Sequence, residues 1–413
     1  MASAPLAVPP SPSSSKRSRS KDSTRSAATS SVNTPFLTPS ASAPSLFTDL
    51  EWEQRQRLLK GIQQGDSEQP SAFARCIGED VVGRNRYANV DPYQSNRVRL
   101  KVPEGHNDYI NASPVELKST KSGAVLKYIA TQGPKFDTYP HLWRMVWHET
   151  TSPAVIVMLT QTHEANREKC FPYFPRSPGS PELKLNPQDE FQDGFIHDLK
   201  LVSLEDHEEA RAQVRELDMT SEDGSETRKI WHLLFAGWPD FLVPEGADRT
   251  ALLKLIDISR EKNDDINTNP RIVHCSAGVG RSGTFIALDW LLQELDEGSL
   301  DELDDEEDPI QTVVDTLRQQ RMMMVQGEAQ LAFIYDVIRD RWRDRWISQH
   351  PEDAERLGVT RDAPPREPEQ PKLKRQKSEK SEVSEQREGD EDDRAQLEAE
   401  LMDAEMDFEK GKT

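Results

Sequence analysis

The 413-residue chain is 35% hydrophobic, too little for a packed core throughout, and carries a net charge of −21. Its three cysteines, Cys76, Cys170 and Cys275, argue for a reducing compartment over a disulfide framework, and its acidity argues against nucleic-acid binding. The longest apolar run, residues 154–159, falls far short of the ~18 residues that span a bilayer, and no secretory signal is visible, so a soluble cytoplasmic protein is expected.

In chain order, residues 1–48 are rich in Ser, Pro, Thr and Ala, with a basic cluster at Lys16, Arg17, Arg19 and Lys21. They bury too little apolar surface to offset the entropy of ordering and are read as a disordered tail. Residues 49–348 hold nearly every Trp, Phe and Tyr, enough for one large core. A capping box, Thr48-x-x-Glu51, precedes a first helix carrying Trp52, Leu58, Leu59 and Ile62. Strand-like runs follow over 98–102, 125–131, 154–159, 230–235 and 271–274, and helical patterns over 139–150, 251–262, 285–295, 310–319 and 330–341. The Glu/Asp-rich stretch 205–226 reads as solvating charge, and the acidic run 296–308 as an exposed loop between helices. The resulting fold class is a single α/β domain, a mixed central sheet flanked by helices. Residues 349–413 turn again to Pro, Glu, Lys, Arg and Ser and read as a second disordered tail. Within it Leu397, Leu401, Ala404 and Phe408 suggest a short helix over 394–410.

The chemistry concentrates in residues 272–285, IVHCSAGVGRSGTF. Gly278, Gly280 and Gly283 form a G-x-G-x-x-G that could cradle a dinucleotide, but that fold needs an acid at the end of a second strand about 20 residues on. Here one helix and an acidic loop follow, with no such strand. The same residues make better sense as a site for one phosphoryl group. Cys275 ends a strand, and Ser276, Ala277, Gly278, Val279, Gly280 and Arg281 form a tight loop into a helix. The glycines let backbone N–H groups turn inward as an anion nest, and the helix dipole adds positive potential. Arg281 offers a planar fork for two phosphate oxygens. A thiol at the rim of such a pocket is expected as the thiolate, a nucleophile facing the bound phosphate.

The whole string HCSAGVGRSGTF resembles the signature of the tyrosine-specific protein phosphatase family. Further matches run in family order over about residues 50–345: NRYANV at 85–90, DYINAS at 108–113, ATQGP at 130–134, Glu164 with Lys169-Cys170, WPDFLVPE at 238–245, and Gln326 with Gln330. The resemblance implies hydrolysis of phosphotyrosine in proteins through a cysteinyl-phosphate, without metal or other cofactor.

It also implies roles. Cys275 is the nucleophile, and Arg281 binds phosphate and stabilises charge developing on its oxygens. Asp240, in the mobile acid loop with Trp238, is the general acid, because tyrosinate leaves poorly without a proton. Gln326 positions the hydrolytic water and Gln330 assists it. Ser282 either donates a hydrogen bond to the thiolate or is a plain helix cap; both readings stand. His274 and Lys169 support the loop. Glu164 alone would be an ordinary surface carboxylate; the resemblance makes it the group that orients Arg281. Tyr87 walls a pocket deep enough for phosphotyrosine, and Asn89 binds the substrate backbone.

Three departures from the family pattern stand out: Leu242 where glycine is usual, Gly327 where threonine is common, and the acidic insertion 296–308. None removes a reacting group. Phosphoinositide phosphatases of the same Cys-x5-Arg chemistry tend to place lysines between the cysteine and the arginine, whereas residues 276–280 are uncharged. A dual-specificity or phosphoinositide phosphatase is the alternative enzyme, and a catalytically dead phosphotyrosine-binding module the alternative outside enzymes. The expected partners are phosphotyrosine proteins in signalling, kinases among them, met by a monomer. KRSRSK and KLKRQK add the option of nuclear import.

Overall fold

The computed structural model of the chain describes residues 43–63, 70–239, 242–301, 303 and 307–359. The expected tail segments 1–42 and 360–413, with the short helix at 394–410, lie outside the described residues.

Helix α1 (Ala43–Gln63) starts earlier than its expected Thr48 cap. Thr48 lies inside the helix and its hydroxyl bonds back to the Pro44 carbonyl at 3.0 Å, so it competes for a helical acceptor and caps nothing. Leu50, Gln54, Leu58 and Gly61, spaced four, four and three, form the buried face. Trp52, two residues off that stripe, points out and is 58% exposed. A single turn, α2 (Glu79–Val82), precedes the sheet.

The strands in chain order are β1 (Ala112–Lys118), β2 (Val125–Thr131), β3 (Ala154–Met158), β4 (His163–Glu164), β5 (Arg167–Glu168), β6 (Glu182–Leu185), β7 (His197–His207), β8 (Ala212–Ser221), β9 (Thr227–Phe235) and β10 (Arg271–His274). Eight of them form one sheet in the order β1-β2-β10-β3-β9-β8-β7-β6, and β4-β5 make a separate hairpin. The central strands β2, β10, β3 and β9 pair in parallel, and both flanks are antiparallel. The expected mixed α/β sheet is therefore what the chain builds.

Two strand expectations need correction. Residues 98–102 form no strand, only a bridge between Arg99 and Tyr109. The charged stretch 205–226 is largely the β7–β8 hairpin, whose inward Leu199, Leu201, Leu217 and Met219 alternate with exposed charges.

Helices α3 (Tyr139–Glu149), α4 (Gly246–Glu261), α5 (Gly280–Glu297), α6 (Pro309–Gln320) and α7 (Glu328–Gln349) complete the two faces. Alternation along β10 divides them. Ile272 packs with Trp143, Met145 and Ile156 on the α3 side, while its neighbour Arg271 faces α5. There Arg271 and Arg260 both bond Asp289 of α5, and the Tyr128 hydroxyl donates to the same carboxylate at 2.7 Å. Two fully buried groups and the partly buried Arg260 thus converge on one anion and lock α5 beneath β2 and β10, as buried charge requires.

Part of the acidic run is not loop. α5 continues to Glu297, Gly298 closes it at φ 78, Leu300 is buried, and Asp308 caps α6 by accepting from the N–H groups of Ile310 and Gln311. Past α7, helix α8 (Pro351–Leu357) ends at Gly358, so described helices extend beyond both expected domain limits, 49 and 348. No helix among the described residues is long and apolar enough to cross a membrane.

Candidate active site

Cys275 lies just beyond the carboxyl end of β10, in the middle of the parallel strands, where open α/β sheets place ligands. The loop from Cys275 to Arg281 then runs straight into α5. The six carbonyls from Cys275 to Gly280 are each hydrogen-bonded. His274 Nδ1 donates to Cys275 O at 3.1 Å, and Gly133 N–H to Ser276 O at 2.8 Å. Arg321 donates to Ala277 O at 3.2 Å and to Gly278 O at 2.9 Å. Gly283 and Val325 N–H groups reach Val279 O, and the Thr284 hydroxyl reaches Gly280 O at 2.9 Å.

In a planar trans peptide, N–H and C=O point in opposite directions. Six carbonyls held on the outside therefore turn the N–H groups of residues 276–281 toward the enclosed side. Gly278 makes the point directly: its N–H donates to Cys275 Sγ at 3.3 Å.

The three glycines are needed for packing against protein, not for access by a dinucleotide. A Cβ at Gly278 would meet the Thr131 carbonyl at 2.1 Å, and its φ of +75° already disfavours a side chain. At Gly280 a Cβ would press on Gln330 and Gln326, and at Gly283 on the Met324–Val325 backbone.

Arg281 is 8% exposed and makes a two-pronged pair with Glu164, 2.7 and 2.8 Å. Burial pulls the Glu164 carboxyl up, but Arg281, the Thr160 hydroxyl and the Gln161 N–H more than offset it, leaving the carboxyl below its ordinary value. The plain surface reading of Glu164 is thereby corrected. Its hairpin turns through Ala165 and Asn166, both at positive φ, which aims Glu164 inward. Removing one partner of such a pair leaves a buried charge, at a cost of about 3–5 kcal/mol.

His274 is fully buried, and desolvation pushes its pKa down to about 4. With Nδ1–H spent on the Cys275 carbonyl, Nε2 must accept, and the Tyr173 hydroxyl at 2.6 Å supplies the proton. Tyr173 then receives a bond from His232 Nε2 at 2.9 Å, which fixes that tautomer too. His274 is a neutral brace for the loop.

Other expected residues fall as follows. Tyr87 is 36% exposed, with its hydroxyl 2.8 Å from Ser276 Oγ. Ser276 already donates to the Lys169 carbonyl at 2.9 Å, so Tyr87 is the donor, and Lys169 contributes backbone at this contact. Asn89 is exposed. Gln326 N–H donates to Gln330 Oε1 at 3.0 Å, which joins the two glutamines beside Gly280. Just before them Met323 and Val325 sit at φ 60°, rare for any side chain and strained for a β-branched one. Ser282 is fully buried in the first turn of α5 and its hydroxyl bonds to none of the described residues; Val279 occupies the cap, so the capping reading falls. Trp238 is buried and donates to the Leu242 carbonyl at 3.0 Å, closing its loop. Asp240, between them, lies outside the described residues.

Sequence reasoning missed four supports: Tyr173, His232, Arg321 and Arg86. Arg86 donates to the carbonyls of Gly133 and Pro134 at 2.9 and 2.7 Å, coupling the Tyr87 segment to the cysteine loop through Gly133. Its place inside NRYANV was the available signal. Arg321 heads the otherwise apolar run RMMMV, five residues before Gln326.

A family model described as protein-tyrosine phosphatase matches residues 82–340. Tyrosine-protein phosphatase 1 of Saccharomyces cerevisiae is 38% identical over 280 residues, covering 62% of this chain and 81% of that protein. Tyrosine-protein phosphatase 2 of Schizosaccharomyces pombe is 34% identical over 298 residues, 71% of this chain but only 39% of its own length. The crystal structure of the catalytic domain of human protein tyrosine phosphatase non-receptor type 18 superposes with a TM-score of 0.57 at 27% identity, covering 73% of this chain and 97% of that one.

Proposed function

Because the chain belongs to the protein-tyrosine phosphatase family, we propose that it hydrolyses phosphotyrosine in proteins through a cysteinyl-phosphate on Cys275. The observation that carries this reading is the loop whose six carbonyls are bonded on its outer side while the Gly278 N–H donates inward to the cysteine sulfur.

A phosphate dianion seated in that loop would be gripped by Arg281, held in aim by Glu164. The Cys275 thiolate attacks phosphorus and the P–O bond to tyrosine breaks; Asp240 donates its proton to the departing phenolate oxygen. In the second half Asp240, now a carboxylate, takes a proton from a water placed by Gln326 and Gln330. That water attacks phosphorus, the S–P bond breaks, and the Ser282 hydroxyl eases departure of the thiolate. Such positioned donors act where charge develops, each contributing about 10²–10³ in rate.

The reading assigns the catalytic unit to the described fold, with the flanking segments acting on regulation and on location in cytoplasm or nucleus. The substrate class follows from Tyr87. Its ring at the rim makes a slot that a phenyl phosphate can span, whereas the phosphate of a short serine side chain cannot reach the thiolate. A related human phosphatase, non-receptor type 18, has been solved in complex with phosphopeptides of HER2. The alternative, a dual-specificity or phosphoinositide phosphatase, finds no lysine in residues 276–280 to hold a polyanion.

A turnover assay with phosphotyrosine, phosphoserine and inositol phosphate substrates decides among these. The expected result is kcat/KM at least about 10³-fold higher for phosphotyrosine, the scale on which sites built for a specific group reject others. Comparable turnover of phosphoserine or of inositol phosphates would reject it.

A further inference from the structure

Arg321 is fully buried, yet no carboxylate pairs with it among the described residues. Three other buried arginines differ: Arg271 holds Asp289, Arg318 holds Glu51, and Arg144 holds Asp193; buried Arg215 bonds Gln213 Oε1 and does not touch the cysteine loop. All of Arg321's bonds go to neutral oxygens. Nε and Nη2 take the carbonyls of Gly278 and Ala277, Nη2 also takes Asn111 Oδ1 at 2.8 Å, and Nη1 takes Ser113 Oγ at 3.2 Å. A buried cation without a counterion is costly unless an anion is supplied nearby.

The negative or ionisable groups that act on it are Tyr109, Cys275 and Asp91. Tyr109 donates its proton to Asn85, and Asp91 is already held by Arg75 and Asn85. Cys275 remains. We infer that Arg321 is a positioning residue of the active site, whose guanidinium fixes the 277–279 backbone with its N–H groups inward and takes the Cys275 thiolate, or the bound phosphoryl group, as its counterion. This rests on the reading of Cys275 as the nucleophilic thiolate.

Two features support it. Ala277 O and Gly278 N–H share one peptide plane, so the clamp on the carbonyl aims that N–H at Cys275 Sγ, where it is found at 3.3 Å. Burial pulls the guanidinium down to about 10, with Tyr109, Cys275 and Asp91 opposing, so it stays charged at neutral pH. The other groups around the cysteine do not replace it. His274 is neutral, Arg281 is bonded to Glu164, Ser282 is uncharged, Arg86 bonds backbone carbonyls and Glu168, and burial raises Cys170, keeping it a thiol.

The test is alkylation of the full chain by iodoacetamide at pH 5.5 and pH 9. This reagent is neutral, so Arg321 does not attract it. Wild-type Cys275 should react far faster than Cys76 and Cys170, whose thiols burial raises. Arg321→Met should slow Cys275 about tenfold at pH 5.5 and converge on the wild-type rate at pH 9, with Arg321→Lys between them. The acid limb of kcat/KM should move to higher pH in parallel. Asn111→Asp, which sets a carboxylate on the guanidinium with little change of volume while giving up the amide's bonds to Val90 O and Asn85 Oδ1, should also slow the reaction at pH 5.5 alone. It decides the matter if the methionine variant fails to fold. Wild-type rates at pH 5.5 in Asn111→Asp, or an equal loss at both pH values, would overturn the inference. Slow wild-type Cys275 at both pH values would instead sink the nucleophile reading, and this with it.

Discussion

Replacing Cys275 by serine is expected to remove phosphotyrosine turnover, a loss on the order of 10⁶-fold, the scale of deleting an enzyme's nucleophile. The substitution changes one atom in a residue 5% exposed, and the carbonyl bonds that shape the loop involve backbone alone at this position. The fold and the anion nest should therefore survive. What disappears is the sulfur nucleophile, because a serine hydroxyl attacks phosphorus far more weakly than a cysteine sulfur. Steady-state assay together with equilibrium binding of a phosphotyrosine peptide checks both halves: no turnover, near-native affinity. Retention of more than about one hundredth of the wild-type rate would mean that another group attacks phosphorus.

Asp240→Ala should lower kcat by about 10²–10⁴-fold while KM stays equal or falls. On the proposed mechanism, ground-state affinity comes from the N–H ring, Arg281 and Tyr87. The proton is needed only as the P–O bond breaks. The deficit should shrink for aryl phosphates whose phenols are already acidic, since these leave without protonation. Kinetics over a series of aryl phosphates read this directly. An equal penalty for good and poor leaving groups would remove Asp240 from the role, and another carboxylate would have to be sought.

Residues proposed to meet substrate were legible in the sequence because their chemistry needs fixed spacing along one segment. Cys275 and Arg281 are six apart on a single loop, and Gln326 and Gln330 are four apart across the start of α7, so a linear pattern holds them. Strands β2 and β10 and the bodies of α3 to α6 were legible for a related reason: continuous apolar runs and 3.6-residue periodicity are local signals. The β7–β8 hairpin was not. Its outward positions are so heavily charged that the stretch reads as solvated, although Ala212, Val214, Leu217 and Met219 within it are buried. Thr48 misled in the opposite way, since its spacing to Glu51 is that of a cap while Pro44 had already started the helix.

The supports of the site were hidden because each acts across the fold. Tyr173 and His232 reach the cysteine loop through His274 from separate strands and loops, and Arg321 reaches it from beyond α6. Only tertiary structure sets these groups side by side. The same holds for Glu164, 117 residues from Arg281, whose two-pronged pair a sequence pattern can suggest but not derive.

The most direct measurement is to stop the reaction in acid during turnover of a phosphotyrosine peptide and locate phosphate on the protein by mass spectrometry. Acid halts hydrolysis of the intermediate, and a Gln326→Ala variant, impaired in placing the second-step water, should increase its yield. The account predicts one phosphate on the peptide that carries Cys275, lost on neutral incubation and absent from Cys275→Ser. Phosphate on any other residue, or turnover with no phosphorylated protein in either form, would contradict it.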